Sequence, residues 1–590
     1  MVINNNFKLI YTSVKHCQKR LHGVLKSIFL LGCLLLSAQS VLVVAGQGDP
    51  DSGQILQQIE RDIEIKPRQP LPTLKEEPLP APSDQGEMVV IKTFKFEGNH
   101  VLSEESLQTA LATLTNRSIS VSELKTCIDI ITAYYRQQGY LAIASLPDQD
   151  ITEGVVLIKI DESIFGGVKF DGEYRKDFKR IKPEIIEGII ESAAPKGRVL
   201  NQDQLDHALR LVNKLSGIQV QTTLQEGSSA GTTDVLVNVK DRDFFTATLA
   251  ADNTGSRQTG RNKATIYGAI ASPFGLGDQF NVTGLHSQGT DYLRLAYQRP
   301  LGYRGLQIAA NSSYMKYDIV NPQIQSSAQA SGSSDTVGLQ LQYPIISSQT
   351  KNLNLTTDVE HKSFENIQGT RVENYSLNVY SAGLSGDYYD NWLSGGQTSA
   401  GLGIRAGNVG ASGATVTDDA QGNYALLHWN ISRNQFLTNR LSLMINGSGQ
   451  FSNRNLDSSE KFYLGGLNGV RAYPTSEGHG SDGYLWVAEL RQYLPYNFSV
   501  STFVDYGHVK QYQSNSGNAG QILTVNNAPN GYNLSGYGAT AAWQGPYNSN
   551  VKMTYAHRFG HNPAPASDGI HDQDGTLNYD VFWLSGSITY

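Results

Sequence analysis

Apolar and polar residues alternate with period two through much of the second half of the chain. Leu293, Leu295 and Tyr297 are interleaved with Arg294, Ala296 and Gln298, and Leu306 and Ile308 with Gln307 and Ala309. Leu441, Leu443 and Ile445 alternate with Ser442, Met444 and Asn446, as Val551, Met553 and Tyr555 do with Lys552, Thr554 and Ala556. Successive side chains of a strand point to opposite faces, so each segment reads as a strand with one apolar and one polar face. Gly, Asn, Asp and Ser separate these segments from about Phe244 onward. The pattern fits the lipid-facing and lumen-facing positions of a transmembrane barrel. It also fits a β-sandwich, and alternation alone does not choose.

Residues 88–162 predict a small α+β module. Met88 to Phe96 reads as a strand ending in the turn Glu97-Gly98-Asn99. Ser103 caps a first helix, Val121 to Gln138 forms a second, and Gly139-Tyr140 ends it. Strand-like runs follow at Leu141 to Leu146 and Gly154 to Ile160. Residues 163–242 repeat this order, with a strand at Phe165 to Phe170 and helices near Pro183 to Ser192 and Gln202 to Leu215. Strands at Ile218 to Leu224 and Asp234 to Lys240 complete the second unit.

Nearer the N-terminus, in the region 46–66, Ser52 is placed to cap a helix running to about Ile63. Ile55, Leu56, Ile59 and Ile63 form one apolar face. About 12 residues make a marginal helix in water, so this one needs a surface to lean on. A proline-rich linker follows over 67–87, with Pro67, Pro70, Pro72, Pro78, Pro80 and Pro82 in or beside it. Extended at ~3.1 Å per residue, the stretch from Pro67 to Pro82 alone reaches roughly 50 Å, more than the ~30 Å core of a bilayer. The helix is thus free to sit in a pore while the modules stay outside it, or to be a flexible tail.

Composition narrows the choice. Charged residues are only 17% of the 590, against about 25% in soluble domains. Gly (58) and Tyr (30) are abundant, which suits tight turns and interfacial aromatic girdles. A net charge of -7 argues against a general nucleic-acid binder. Residues 1–45 read as a signal peptide: Lys8, Lys15, Lys19, Arg20 and Lys26 flank the apolar run Ile28 to Leu36, with a cleavage site near Val43-Val44-Ala45. Of three cysteines, Cys17 and Cys33 belong to this leader and only Cys127 follows it, so no intramolecular disulfide is expected in the mature chain. No later stretch is apolar enough for a spanning helix, so membrane integration would require a barrel over 243–590. At roughly 20 residues per strand and loop, about 16 strands are expected. The last of these places Phe582, Leu584, Ile588 and Tyr590 on one face, ending on an exposed aromatic that serves as a C-terminal barrel signal.

Two motifs then stand out. Phe462 to Pro474 reads Phe-Tyr-Leu-Gly-Gly-Leu-Asn-Gly-Val-Arg-Ala-Tyr-Pro, and Phe503-Val504-Asp505-Tyr506-Gly507 lies downstream. With the tandem modules, the tethered helix, and the turn segments Asp252-Asn253-Thr254-Gly255 and Phe274-Gly275-Leu276-Gly277-Asp278, the chain resembles two-partner secretion transporters (TpsB). These are the haemolysin secretion/activation type within the outer-membrane assembly and secretion superfamily. The resemblance implies a loop near 464–484 folded into the lumen. Val470, Arg471, Ala472, Tyr473 and Pro474 form its motif, and Ala472 stands at a position often occupied by glycine. It further implies that Phe503, Asp505 and Gly507 form the wall partner, with Arg471 bonded to Asp505. Parity agrees that Phe503 and Asp505 share a face, and an ionised aspartate belongs on the lumen side.

The modules resemble POTRA domains that take up a secreted TpsA-type exoprotein in the periplasm by β-augmentation. The helix corresponds to a pore plug. Outer-membrane lipid and, during biogenesis, the barrel assembly machinery complete the expected partners. No phosphate-binding loop, HExxH or GxSxG pattern occurs, so an enzyme, a cofactor and a metal are not expected. An assembly factor of the same superfamily, or a porin or adhesin with a periplasmic arm, are the competing readings.

Overall fold

The computed structural model describes residues 50–63, 88–149, 151, 153–172, 174, 178–320, 330–411, 420–514, 529–566 and 569–590. The leader, its cleavage site and the proline-rich linker lie outside the described residues. Among the described residues no helix is long and apolar enough to cross a membrane.

Each module follows one plan. In the first, Thr93–Glu97 pairs in parallel with Val155–Glu162, which pairs antiparallel with Ala142–Ser145. In the second, Ile164–Phe170, Thr232–Asp241 and Ile218–Glu226 repeat that parallel-then-antiparallel arrangement. Helices Glu104–Ala110 and Val121–Gln137 cover the first sheet, and Pro183–Ala193 and Gln202–Asn213 the second. Ser103 caps its helix by accepting from the Ser106 amide, and Gly139, at φ +80°, ends the long helix in the left-handed region that glycine tolerates.

One strand expectation is corrected. Met88 to Phe96 is not continuous: Met88–Ile91 and Thr93–Glu97 are separate strands broken at Lys92. The first pairs with Arg117–Ser120, a four-residue strand that no periodicity signals, to form a sheet of its own. The Lys92 amide instead donates to the Gly154 carbonyl at 2.7 Å.

The modules are joined by backbone bonds. Ser163 N donates to Leu141 O at 3.0 Å and Gln202 N to Gly139 O at 2.6 Å. The second module continues onto the periplasmic turns of the barrel. Lys182 N donates to Gly275 O at 2.9 Å, Arg210 Nε to Ser347 O at 2.9 Å, and Ser192 Oγ to Tyr303 O at 3.2 Å.

Sixteen antiparallel strands close the barrel. It begins at Phe245–Asp252 and ends at Asp580–Thr589, which pair with each other through five residues from Ser585↔Asp252 to Thr589↔Thr248. The alternation has its expected cause. Leu293, Leu339, Ile404, Val504 and Met553 lie exposed on the outer wall, while their neighbours in sequence face the lumen. On the closing strand Phe582 and Tyr590 are exposed and Ile588 is half-buried, whereas Trp583 is turned inward and buried. Exposed Trp392, Tyr496 and Tyr547 stand at periplasmic turns, where amphipathic rings suit the membrane interface.

Candidate gating site in the barrel lumen

Strand parity builds the site's wall. In Phe498–Lys510, Val500, Val504 and Tyr506 face outward, so Phe503, Asp505 and Gly507 face inward. Gly507 is there for space: a Cβ would lie 2.4 Å from Cδ2 of Leu464 in the facing loop. Gly536 on the next strand admits Ala472 in the same way, since a Cβ would come within 2.5 Å of the alanine methyl. These two positions let the loop of residues 453–481 lie directly on the backbone of the wall.

That loop folds back into the lumen, burying Val470, Arg471, Ala472, Tyr473 and Pro474. Ala472 has no positive φ, so glycine is not required for its backbone; the left-handed residues nearby are Gly466, Ser476 and Gly478. Arg471 meets Asp505 through a bidentate pair, Nε to Oδ2 at 2.9 Å and Nη2 to Oδ1 at 2.7 Å. Its backbone N–H also donates to Oδ2 at 3.0 Å. The planar guanidinium matches two carboxylate oxygens as an ammonium could not.

Three further contacts complete the socket. Nη1 donates to Glu489 at 3.0 Å, the Arg471 carbonyl accepts from the Trp583 indole at 2.8 Å, and the guanidinium carbon lies 3.3 Å from the centroid of the Phe503 ring. Arg491 pairs with the other oxygen of Glu489. Two cations and two carboxylates therefore balance in a buried cluster, which suits a site where an unpaired charge is expensive. Glu489 and Trp583 carry no motif of their own, and only their inward parity on neighbouring strands hints at them.

Higher in the lumen the loop carries a second ionic link. Tyr473 stacks beneath Arg558, which pairs with Asp572 in the last extracellular loop. Glu477 accepts from Asn562 at 2.6 Å and from the Gln573 amide at 2.9 Å. Burial, reinforced by neighbouring Asp572, raises the Glu477 carboxyl well above its ordinary range.

The N-terminal helix, Ser52–Ile63, lies inside the barrel. Ile55, Leu56 and Ile59 are buried against Tyr292, Met315, Tyr317, Phe364 and Leu377 of the wall, and Ile63 packs at the edge of this cluster. Each fully buried aliphatic side chain contributes about 1.5–3 kcal/mol, which supplies the surface that an isolated short helix lacks. The expected Ser52 cap is corrected. Asp51 caps the helix, accepting from the Gln54 amide at 2.8 Å, while the Ser52 amide donates to Asn366 in the wall at 2.9 Å.

The helix is also held by the loop. Ser458 donates to Asp51 at 2.6 Å, Asn468 to Asp62 at 3.0 Å and Ser476 to Gln58 at 3.1 Å. Gly53 brings the helix so near that a Cβ would fall 2.4 Å from Ser458 Oγ. Wall contacts are ionic: Lys263 meets Asp62 at 2.7 Å, and Lys362 lies between Glu60 at 3.9 Å and Glu460 at 3.3 Å. Loop and helix thus fill one lumen together. Among the described residues no group of side chains is arranged to hold a metal ion.

Comparison with known proteins places this arrangement. The model of the haemolysin secretion/activation protein family ShlB/FhaC/HecB matches residues 231–527, and the ShlB-type POTRA domain matches residues 89–163. The heme/hemopexin transporter protein HuxB of Haemophilus influenzae is 24% identical over 84% of this chain and 88% of its own. The hemolysin transporter protein ShlB of Serratia marcescens is 23% identical over 75% of this chain and 80% of its own. Among solved structures, CdiB from Escherichia coli superposes with a TM-score of 0.72 at 17% identity, covering 92% of this chain and 100% of that one. A POTRA-bearing barrel matched by this family model has its barrel in the outer membrane and its arm in the periplasm, and the chain belongs to the haemolysin secretion/activation family of two-partner secretion transporters.

Proposed function

We propose that the chain exports one secreted partner polypeptide, captured in the periplasm by the two modules and passed unfolded through the barrel. The reading rests chiefly on one observation: a closed barrel whose lumen holds both the Ser52–Ile63 helix and the Arg471 loop, neither of them part of the wall. A porin would need neither a tethered helix nor an arm bonded to its periplasmic turns.

In the proposed cycle the partner binds the modules, the helix withdraws, and the loop around Arg471 rearranges to open the path. The module edges are suited to β-augmentation, in which backbone bonds give affinity and side-chain pockets give specificity. Folding of the partner outside the cell would draw the chain through.

The test is secretion of a cognate exoprotein co-expressed with this chain. Charge reversal at Arg471 or at Asp505 should abolish release while leaving the barrel inserted, measured as partner in the medium against barrel in the outer membrane. Normal release in both variants would remove the Arg471–Asp505 pair from the mechanism. Heat-modifiable migration in a gel confirms that each variant barrel is folded.

A further inference from the structure

We propose that the lumen loop carries a β-edge that binds the exported chain by its backbone, and that the N-terminal helix occupies this edge in the closed state. The proposal rests on the export reading and adds a binding site to it.

Phe462–Tyr463 forms a short antiparallel ribbon with His479–Gly480, and Leu464 N donates to Gly478 O at 2.8 Å. One edge of the Lys461–Gly465 segment is therefore taken up by its own loop. The carbonyls of Lys461, Tyr463 and Gly465 are directed to the helix instead. Gln57 Nε2 donates to the first, Arg61 Nη1 to the second at 3.0 Å and Arg61 Nη2 to the third at 3.2 Å. These three acceptors stand at alternate positions, the repeat of a strand edge, while the Gly465 amide turns back to Glu477 O at 2.7 Å, so the edge is one of acceptors.

The geometry of the match is general. Alternate residues of a strand are about 6.6–6.8 Å apart, and residues four apart on a helix are separated by about 6 Å along its axis. Gln57 and Arg61 are four apart, so one helical face meets successive acceptors of the edge. Both side chains address backbone and not side chains, so the contact imitates what a neighbouring strand would do. Removing a helix about 10 Å wide leaves ample room for a strand at its usual spacing of about 4.8 Å.

Once the helix leaves, those carbonyls lose the donors it supplied, and a backbone bond lost inside a narrow lumen is costly to leave unreplaced. An extended polypeptide offers N–H groups at the same repeat on each of its edges. It replaces the lost bonds whatever its side chains, and it can advance two residues at a time with the pattern restored at each step. The ligand class is thus an extended backbone with intact amides, and proline-rich stretches are poor ligands because proline donates none.

Two measurements test this in the full-length protein. In planar bilayers, Gln57→Ala/Arg61→Ala channels meet a neutral eight-residue Thr/Val peptide or its analogue N-methylated at every residue, which has no amide donor on either edge. The plain peptide should block current with dwell times about tenfold longer, as expected for several backbone bonds lost together; equal dwell times overturn the site. In cells, a photo-crosslinker replaces Asn468 beside the edge, or Asn311 on the Gln307–Asp318 wall strand, with the partner arrested in transit. Adducts concentrated at 468 support the edge, and equal yields at the two positions overturn it. Secretion of the same partner without the arrest is measured in parallel. A secreted partner with no adduct at 468 counts against the edge alone, whereas no secretion counts against export itself.

Discussion

Arg471 makes three hydrogen bonds to Asp505, one to Glu489, and stacks on Phe503. This geometry predicts that exchange of the pair (Arg471→Asp with Asp505→Arg) will not restore export. The transplanted guanidinium would lose Glu489, the Phe503 face and the fixed carbonyl position that Trp583 reads. Asp505→Asn should weaken loop docking by about 3–5 kcal/mol, the usual cost of breaking a buried pair from one side. Protease sensitivity of residues 461–476 in inserted barrels reports it, and an unchanged cleavage rate would contradict the assignment. The Arg471–Asp505 contact was foreseeable because both residues sit in recognisable motifs and parity turns Asp505 inward. Glu489, Trp583 and the clearance at Gly536 were not, because each depends on which strand neighbours which.

A second residue-scale prediction concerns pH. Burial, reinforced by neighbouring Asp51, pushes the Asp457 carboxyl up to about 6, and Glu460, Tyr375 and Tyr424 also face this region. A raised carboxyl favours the docked state while protonated, and that contribution declines as pH rises from the ordinary range through the raised value. Helix docking should therefore be firmer at about pH 5 than at about pH 7. Channel openings in planar bilayers should be rarer at the lower pH, and Asp457→Asn should keep the low-pH behaviour at both. A variant as pH-sensitive as the parent would place the dependence elsewhere.

Among the elements, the Ser52–Ile63 helix was legible in full as a helix, since its apolar face recurs at helical spacing. Its bed was not, because Tyr292, Met315 and Leu377 come from strands far apart in sequence. Deleting residues 52–65 should raise ion conductance strongly, and Ile59→Ala should do so in part, with a cost of about 2–5 kcal/mol for a buried aliphatic truncated in place. Unchanged conductance in the deletion would exclude the helix as an obstruction. The Pro183–Ala193 helix lies so near the barrel that a Cβ on Gly188 would come within 2.4 Å of the Tyr303 ring. Gly188→Leu should detach the second module from the 301–306 turn, seen as faster amide exchange there, while the barrel still inserts. The Arg117–Ser120 strand shows the opposite limit: four residues alternate too briefly to announce a strand, and pairing with Met88–Ile91 decides it.

For the whole molecule, the competing reading of a barrel-inserting factor makes a different demand on the wall. Such a factor would work by parting its first and last strands, whereas an exporter uses the lumen. Leu249 and Ile588 are direct partners across that seam. Oxidising the Leu249→Cys/Ile588→Cys variant should leave partner secretion intact, with Cys127 buried in the first module and remote from the reaction. Loss of secretion on oxidation, restored by reductant, would favour the inserting factor. The same closed wall bears on how the molecule comes to hold its own helix. Asp580–Thr589 follows every other described strand in sequence, and its pairing with Phe245–Asp252 completes the ring. A segment made before the ring exists need not be threaded through it, because the wall can be wrapped around the segment and sealed last. Closed in that order, the ring would enclose its lumen with the stopper already seated, and no open hole would face the membrane while the molecule is being built.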